Sequence, residues 1–293
     1  MKTNYHTHTT FCDGKQTAAQ MADAALAAGF TVLGFSAHAM YPFASQWHAK
    51  PEEYGAYIET VRSLQKKYQD EGSSIELLAG FEAEYLPPVS LPDKRRYNAL
   101  GADYLIGSVH YISALQAGVP LHLLDSAHEP VFTVDGPEEE VRRGLAELFH
   151  GDGKKLVQVY YQAVRSMASS CTFDILGHID LIRRRNGALG FFDEREPWYR
   201  RELEATARSI AQANCVVEIN TGGMARGGIE TPYPSPQFLA LLAKEQVPVV
   251  INSDAHTAAH IGYAFDQAIQ AAKTAGYRES WYFSNGTWQA QPL

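Results

Sequence analysis

The chain has 293 residues, 45% of them hydrophobic and 20% charged, which provides for a large core and excludes a disordered chain. A formal net charge of −8 argues against a non-specific binder of nucleic acid or anionic membrane, and the one basic cluster, Arg183-Arg-Arg185, is too short to track a phosphate backbone. No apolar run approaches the ~18 residues of a membrane span, the opening residues lack a leader pattern, and three scattered cysteines do not make a disulfide framework. A cytoplasmic address is expected, with no membrane or nucleic-acid partner.

A first apolar run ends in Asn4-Tyr-His-Thr-His-Thr-Thr10, and the Ala-rich stretch Thr17–Ala28 predicts a helix stopped by Gly29. Val32–His38 reads as a second strand, followed by a helix from Pro51, a favourable first-turn residue, to about Tyr68. Leu77–Glu82 is a third strand, Lys94–Leu100 a short helix, and Tyr104–His110 a fourth strand. Residues 111–136 break the rhythm with Gly118, Pro120, Pro130 and Gly136, and read as an insertion lying over a site. Helices return at Glu138–Phe149 and Lys155–Ser169. A strand at Asp174–Gly177, a helix at Pro197–Asn214 and a strand at Cys215–Asn220 follow. Then come the Gly-rich loop Thr221–Gly228, a helix near Phe238–Glu245, a strand at Pro248–Ser253, a helix at Ala258–Ala275 and a last short strand at Trp281–Phe283.

About seven βα units in a row, without a linker, predict one α/β domain over 1–293, a closed parallel TIM-like barrel. An open doubly wound sheet would more typically carry a glycine-rich nucleotide loop after its first strand, and none is present. In such barrels the carboxyl ends of the strands carry function, and here those ends hold His6, His8, His38, Glu82, His110, His178, Asp254 and His256, with Asp13 a short loop beyond His8. Residues two apart in a strand share a face, so His6 can join His8, and Asp254 can join His256. Glu82, at the end of its run, is the expected ligand of the Glu82/Glu84 pair. Glu84 is left for support or substrate contact. Imidazoles and carboxylates suit zinc, manganese or iron, and nine ligands suit two or three divalent ions.

Three divalent ions with three carboxylates leave a net positive site, which favours an anionic small molecule, above all a phosphate ester. Clustered ions lower the pKa of a bridging water, align it for attack on phosphorus and stabilise the departing alkoxide. Arg226, beyond the sixth strand, and Arg183, after His178, are candidate phosphate clamps, with pairing to Glu230 an equal alternative for Arg226. Asp180 is either a general acid for the leaving group or a partner that orients His178. A lone histidine is ordinarily a satisfied core or surface residue, so His48, His150 and His260 are assigned no role. His122 and His128, in the insertion, could touch substrate. Glu218 is read as a buried structural carboxylate and Cys12 as inert packing.

The ordered set His6-Thr-His8-Thr, Cys12-Asp13-Gly14, Ser36-Ala-His38, Gly80-Phe-Glu82, Gly107-Ser-Val-His110, Gly177-His-Ile-Asp180 and Asn252-Ser-Asp-Ala-His256 resembles the PHP (polymerase and histidinol phosphatase) superfamily over nearly the whole chain. The resemblance implies a distorted (β/α)7 barrel and a trinuclear centre. One ion would take His6, His8, Glu82 and Asp254, another Asp13, His38 and His256, and the third Glu82, His110 and His178. Some members have a histidine at the position of Asp13, a difference that could alter metal preference. Within the superfamily the chain looks most like the monofunctional histidinol-phosphate phosphatases, by its length, the insertion after His110, and Asn220-Thr-Gly-Gly with Tyr233-Pro-Ser235. These hydrolyse L-histidinol phosphate in histidine biosynthesis. The substrate's ammonium and imidazole call for acidic partners, with Asp125 and Glu84 as candidates. The competing expectations are a superfamily phosphoesterase acting on nucleotides, nucleic acid or phosphotyrosine, and a non-catalytic metal-binding barrel.

Overall fold

The computed structural model describes residues 1–119 and 131–293. Seven parallel strands form a nearly closed barrel in the order β1 (Thr3–Asn4), β2 (Val32–Ala39), β3 (Glu76–Glu84), β4 (Tyr104–Ser108), β7 (Ile175–Leu176), β8 (Val216–Asn220) and β9 (Val249–Asn252). Every residue of β2, β4, β8 and β9 is buried, as expected where helices cover the outer face and side chains fill the inner one. The outer layer comprises α1 (Ala18–Ala27), α2 (Tyr54–Asp70), α3 (Lys94–Ala99), α6 (Gly153–Ser170), α8 (Pro197–Ala211), α10 (Pro236–Lys244) and α11 (Phe265–Ala275). Thr17 starts α1 through a capping box with Gln20, and Pro51 opens a short 3-10 turn ahead of α2. Among the described residues no helix is long and apolar enough to cross a membrane.

The first strand departs from expectation. Its regular part stops at Asn4, because the Asn4 side chain accepts from the His6 amide and donates to Thr7 Oγ1, while Tyr5 N donates to Asn252 Oδ1. Side-chain bonds thus replace ladder bonds where the two histidines turn inward. The ladder resumes at a parallel bridge between Thr7 and Ala255, with His8 N donating to the Ala255 carbonyl at 2.9 Å and Ala255 N to the His6 carbonyl at 3.1 Å. That bridge closes the barrel.

Below the ligand rim the interior is packed with Tyr5, Val32, Leu78, Tyr104, Ile106, Ile175, Val216 and Val250. The Tyr104 ring crosses this space against Gly34 and Gly80, where any Cβ would overlap it, and its hydroxyl meets the carbonyls of Tyr5 and Phe35. The single strand expected near Trp281 is instead an antiparallel hairpin, β10 (Glu279–Ser284) and β11 (Thr287–Pro292), which covers the amino-terminal mouth. Phe283 N donates to Tyr5 Oη, and Tyr5 Oη donates to Phe283 O, each at 2.8 Å.

Between β4 and α6 the described residues add β5 (Tyr111–Ser113), α4 (Ala114–Ala117), β6 (Val131–Thr133) and α5 (Glu138–Phe149), with β5 and β6 paired antiparallel. Two short helices complete the fold, α7 (Asn186–Leu189) and α9 (Gly222–Arg226). The second of these lies within the segment expected to be a glycine-rich loop.

Candidate metal centre

The nine expected ligands converge at the carboxyl ends of the strands. Four overlapping sets each place their ligand atoms within 4.8 Å of one another: His8/Asp13/His38/His256, His6/His8/Asp254, His6/Glu82/His178 and His38/Glu82/His110. Glu82 is central. Its Oε2 lies 2.7 Å from His38 Nδ1 and 3.0 Å from His6 Nε2, and its Oε1 lies 3.0 Å from His178 Nε2 and 3.4 Å from His110 Nε2. Asp254 Oδ1 sits 3.3 Å from His8 Nε2, and Asp13 Oδ2 sits 3.2 Å from His256 Nε2.

The donor set fits divalent ions on observations of the structure itself. His6 Nε2, His8 Nε2, Glu82 Oε2 and Asp13 Oδ1 are buried without hydrogen-bond partners and face one another, an arrangement that is costly unless something satisfies those atoms. Burial would raise the Glu82 carboxyl, but His6, His38 and His110 hold it well below the usual carboxylate range. Burial likewise works against ionisation of Asp254, and Arg226 and His6 overcome it. Burial, with His38 and His256 nearby, keeps the His8 imidazole well below its ordinary pKa, so it is neutral and able to ligate. Asp254 also holds a left-handed backbone, φ 50°, a conformation that side-chain-bearing residues avoid. Gly222 abuts this carboxylate, and a Cβ there would approach Asp254 Oδ2 to 2.7 Å.

Two further carboxylates orient ligands from behind. Glu218, buried on β8, accepts from His6 Nδ1 (2.9 Å) and Asn252 Nδ2 (3.0 Å) at Oε2, and from His178 N (2.7 Å) and Asn220 Nδ2 (2.8 Å) at Oε1. This fixes the His6 tautomer so that Nε2 faces the cluster. The sequence predicts only a buried structural carboxylate at Glu218, because its reach to His6 is a tertiary contact that nothing along the chain signals. Glu84 does the same for His110: Oε2 lies 2.7 Å from Nδ1, and Oε1 accepts from the amides of His110 and Tyr111. It is buried with both oxygens engaged, which corrects the expectation of a substrate contact.

Two other expectations change. Asp180 is fully buried and does not line the cavity, accepting from Ser235 N at 2.7 Å with Arg183 Nη1 at 3.5 Å; it makes no hydrogen bond to His178 either, so the structure places it in neither expected role. Arg183 points to Glu194 and Asp180, because the 3-10 turn Leu181–Arg183 rotates it off the rim, and its neighbour Arg184 lines the site. Arg226 does lie at the rim, but its partner is Asp254 and not Glu230: Nη1 donates to the Asp254 carbonyl and to His256 Nδ1, and Nη2 to Asp254 Oδ2 at 2.8 Å. Asp125, His122 and His128 lie outside the described residues.

Above the ligands opens a cavity of about 630 Å³, lined by His38, His110, His178, Asp254 and His256 together with Lys15, Trp47, Tyr111, Asp135, Glu140, Arg184 and Arg226. Trp47 stands edge-on to His38 (4.6 Å between centroids) and His110 (5.3 Å) and stacks on Tyr111.

Known proteins carry the same frame. A protein named probable histidinol-phosphatase from Deinococcus radiodurans is 27% identical over 276 residues, 93% of each chain. The histidinol-phosphatase of Bacillus subtilis is 25% identical, over 92% of this chain and 98% of its own. The structure of histidinol phosphate phosphatase from Lactococcus lactis, complexed with zinc, L-histidinol and phosphate, shares the fold at a TM-score of 0.65 and 18% identity, covering 98% of both chains. The HisK protein of Listeria monocytogenes shares it at a TM-score of 0.73 and 18% identity, covering 90% of this chain and 99% of its own. The PHP domain model matches residues 4–222, well over half the sequence, and given the barrel and its rim of nine candidate ligands the chain belongs to the PHP domain family.

Proposed function

We propose that this chain is a metal-dependent phosphomonoesterase that converts L-histidinol phosphate to L-histidinol and phosphate, a step of histidine biosynthesis. The observation that carries the proposal is the convergence of nine imidazole and carboxylate ligands on one rim beneath a cavity bordered by Arg184 and Arg226. The likeness over nearly full length to proteins named histidinol-phosphatase supports the choice of substrate.

In this reading His6, His8, Asp13, His38, Glu82, His110, His178, Asp254 and His256 would hold two or three ions of zinc, manganese or iron. The ions would neutralise phosphate charge and make water nucleophilic at neutral pH. Arg226, fixed by Asp254, and Arg184 both line the cavity, and their guanidinium groups would serve phosphate oxygens. Glu218 and Glu84 keep His6 and His110 turned toward the ligand cluster, where they would meet the ions. Tyr111 and Asp135, from the two ends of the expected insertion, line the cavity and would border the bound substrate.

The test is phosphate release from L-histidinol phosphate by purified protein, before and after chelation and readdition of zinc, manganese or iron. Rapid, chelator-sensitive turnover well above that on a generic aryl phosphate is expected. Hydrolysis of the generic ester alone would end the substrate assignment, and metal-independent turnover would end the metal reading.

A further inference from the structure

The cavity above the ligands is lined by charges of both signs. Lys15, Arg184 and Arg226 line it beside the imidazoles of His38, His110, His178 and His256. Four acidic residues line it among the described residues, namely Asp13, Asp135, Glu140 and Asp254. Asp13 and Asp254 belong to the ligand sets. Glu140 Oε1 accepts from the Thr133 amide at 2.7 Å and the Thr133 hydroxyl at 3.0 Å, so this side chain ties β6 to α5. Asp135 remains. It follows β6, and its Oδ2 takes a hydrogen bond from Arg184 Nη1 at 2.8 Å, while Oδ1 has no hydrogen-bond partner among the described residues. The half-buried Asp135 carboxylate thus lines the cavity beside the ligand rim as the ion-pair partner of Arg184.

Resting on the reading above, the substrate is an amino-alcohol phosphate, in which the ammonium is separated from the ester oxygen by only two carbons. When phosphate sits over the ligand rim, the ammonium must therefore lie within a few ångströms of it, on whichever wall offers an anion. We propose that Asp135 receives this ammonium through Oδ1 and is the residue that selects amino-alcohol phosphates over esters lacking the amine. Its bond to Arg184 serves the selection as well, because it fixes the carboxylate at a set distance from the phosphate end. Trp47 and Tyr111, stacked at the same mouth, form the apolar wall along which the remainder of the molecule lies.

The experiment compares L-histidinol phosphate with its deamino analogue, the imidazolylpropyl phosphate, on wild-type protein and Asp135→Asn, with metal content and melting followed in parallel. Loss of a charge-assisted hydrogen bond predicts a drop of about 10- to 100-fold in kcat/KM for the amine ester and little change for the analogue. If Asp135 acts only by holding Arg184, both esters fall together, since both carry phosphate, and the proposal is overturned. Equal wild-type rates on the two esters overturn it as well. If wild-type protein hydrolyses neither, the substrate assignment itself fails, a result distinct from both. Should Asp135→Asn lose metal or melt early, Asp135→Glu is read in the same way, a selective drop supporting the role and an equal drop refuting it.

Discussion

Replacing Glu218 by Gln tests how the centre is held from behind. The carboxylate meets four donors, two at each oxygen: His6 Nδ1 and Asn252 Nδ2, then His178 N and Asn220 Nδ2. A carboxylate accepts all four; a carboxamide accepts at one end only and turns an NH2 group toward the other pair. If the amide nitrogen faces His178 N, a backbone donor is opposed and cannot adapt. If it faces His6, the imidazole must move its proton to Nε2 and can no longer ligate through that atom. Each buried donor left unpaired costs about 1–3 kcal/mol, and loss of such an orienting partner lowers metal affinity by about 10–100-fold, or ~1.4–2.7 kcal/mol. Zinc affinity measured against a competing chelator, with thermal melting alongside, separates the two effects. We expect both to fall. A variant that melts earlier yet holds zinc within about threefold of wild type would show that Glu218 only packs the barrel and that the tautomer argument is wrong.

Three other outcomes are expected. Tyr5→Phe removes the hydroxyl that serves both the amide and the carbonyl of Phe283, so it costs about 1–3 kcal/mol for each backbone group left bare, measured by urea unfolding; an unchanged midpoint would mean the hairpin is held elsewhere. Burial pushes the Cys215 thiol up to about 12, so at pH 8 the folded protein should leave Cys215 unalkylated by iodoacetamide, read by mass spectrometry, and react there only once unfolded. His256→Ala, at the more open edge of the cluster, should abolish phosphate release and reduce bound metal while circular dichroism stays native; retained activity would remove His256 from the machinery.

The ligand set was legible in the sequence because strand ends recur and imidazoles at them are conspicuous. His38 closing a buried apolar run needs only the period of a strand to be placed, whereas Asp254 and His256 lie past the end of β9, where the left-handed backbone of Asp254 and not a strand period brings them to the rim. What stayed hidden depends on lateral packing. Glu82 and Glu84 share a face in an ideal strand, and only the end of β4 beside β3 turns Glu84 toward His110. Glu218 reaches His6 across the barrel, a distance of 212 residues along the chain. Arg183 and Arg184 exchange roles because a single 3-10 turn sets which one faces the rim. The Asn4 side chain, which ends β1 early, has the same local chemistry in any sequence context, yet only the tertiary position of Asn252 shows that its strand gives up ladder bonds there.

The Thr7–Ala255 bridge carries one more consequence. It is the seam at which the first strand meets the last barrel strand, and His6 and His8 lie on one side of it with Asp254 and His256 on the other. Ions held between these residues would act as a clasp, so that the free energy of metal uptake counts directly toward keeping the hoop shut. Stripped of metal, the protein should begin to come apart by parting along that line, with amides near residues 5–8 and 253–256 exchanging with solvent before those of β2 and β3. The centre that would perform the chemistry would then also be the fastener of the fold that builds it.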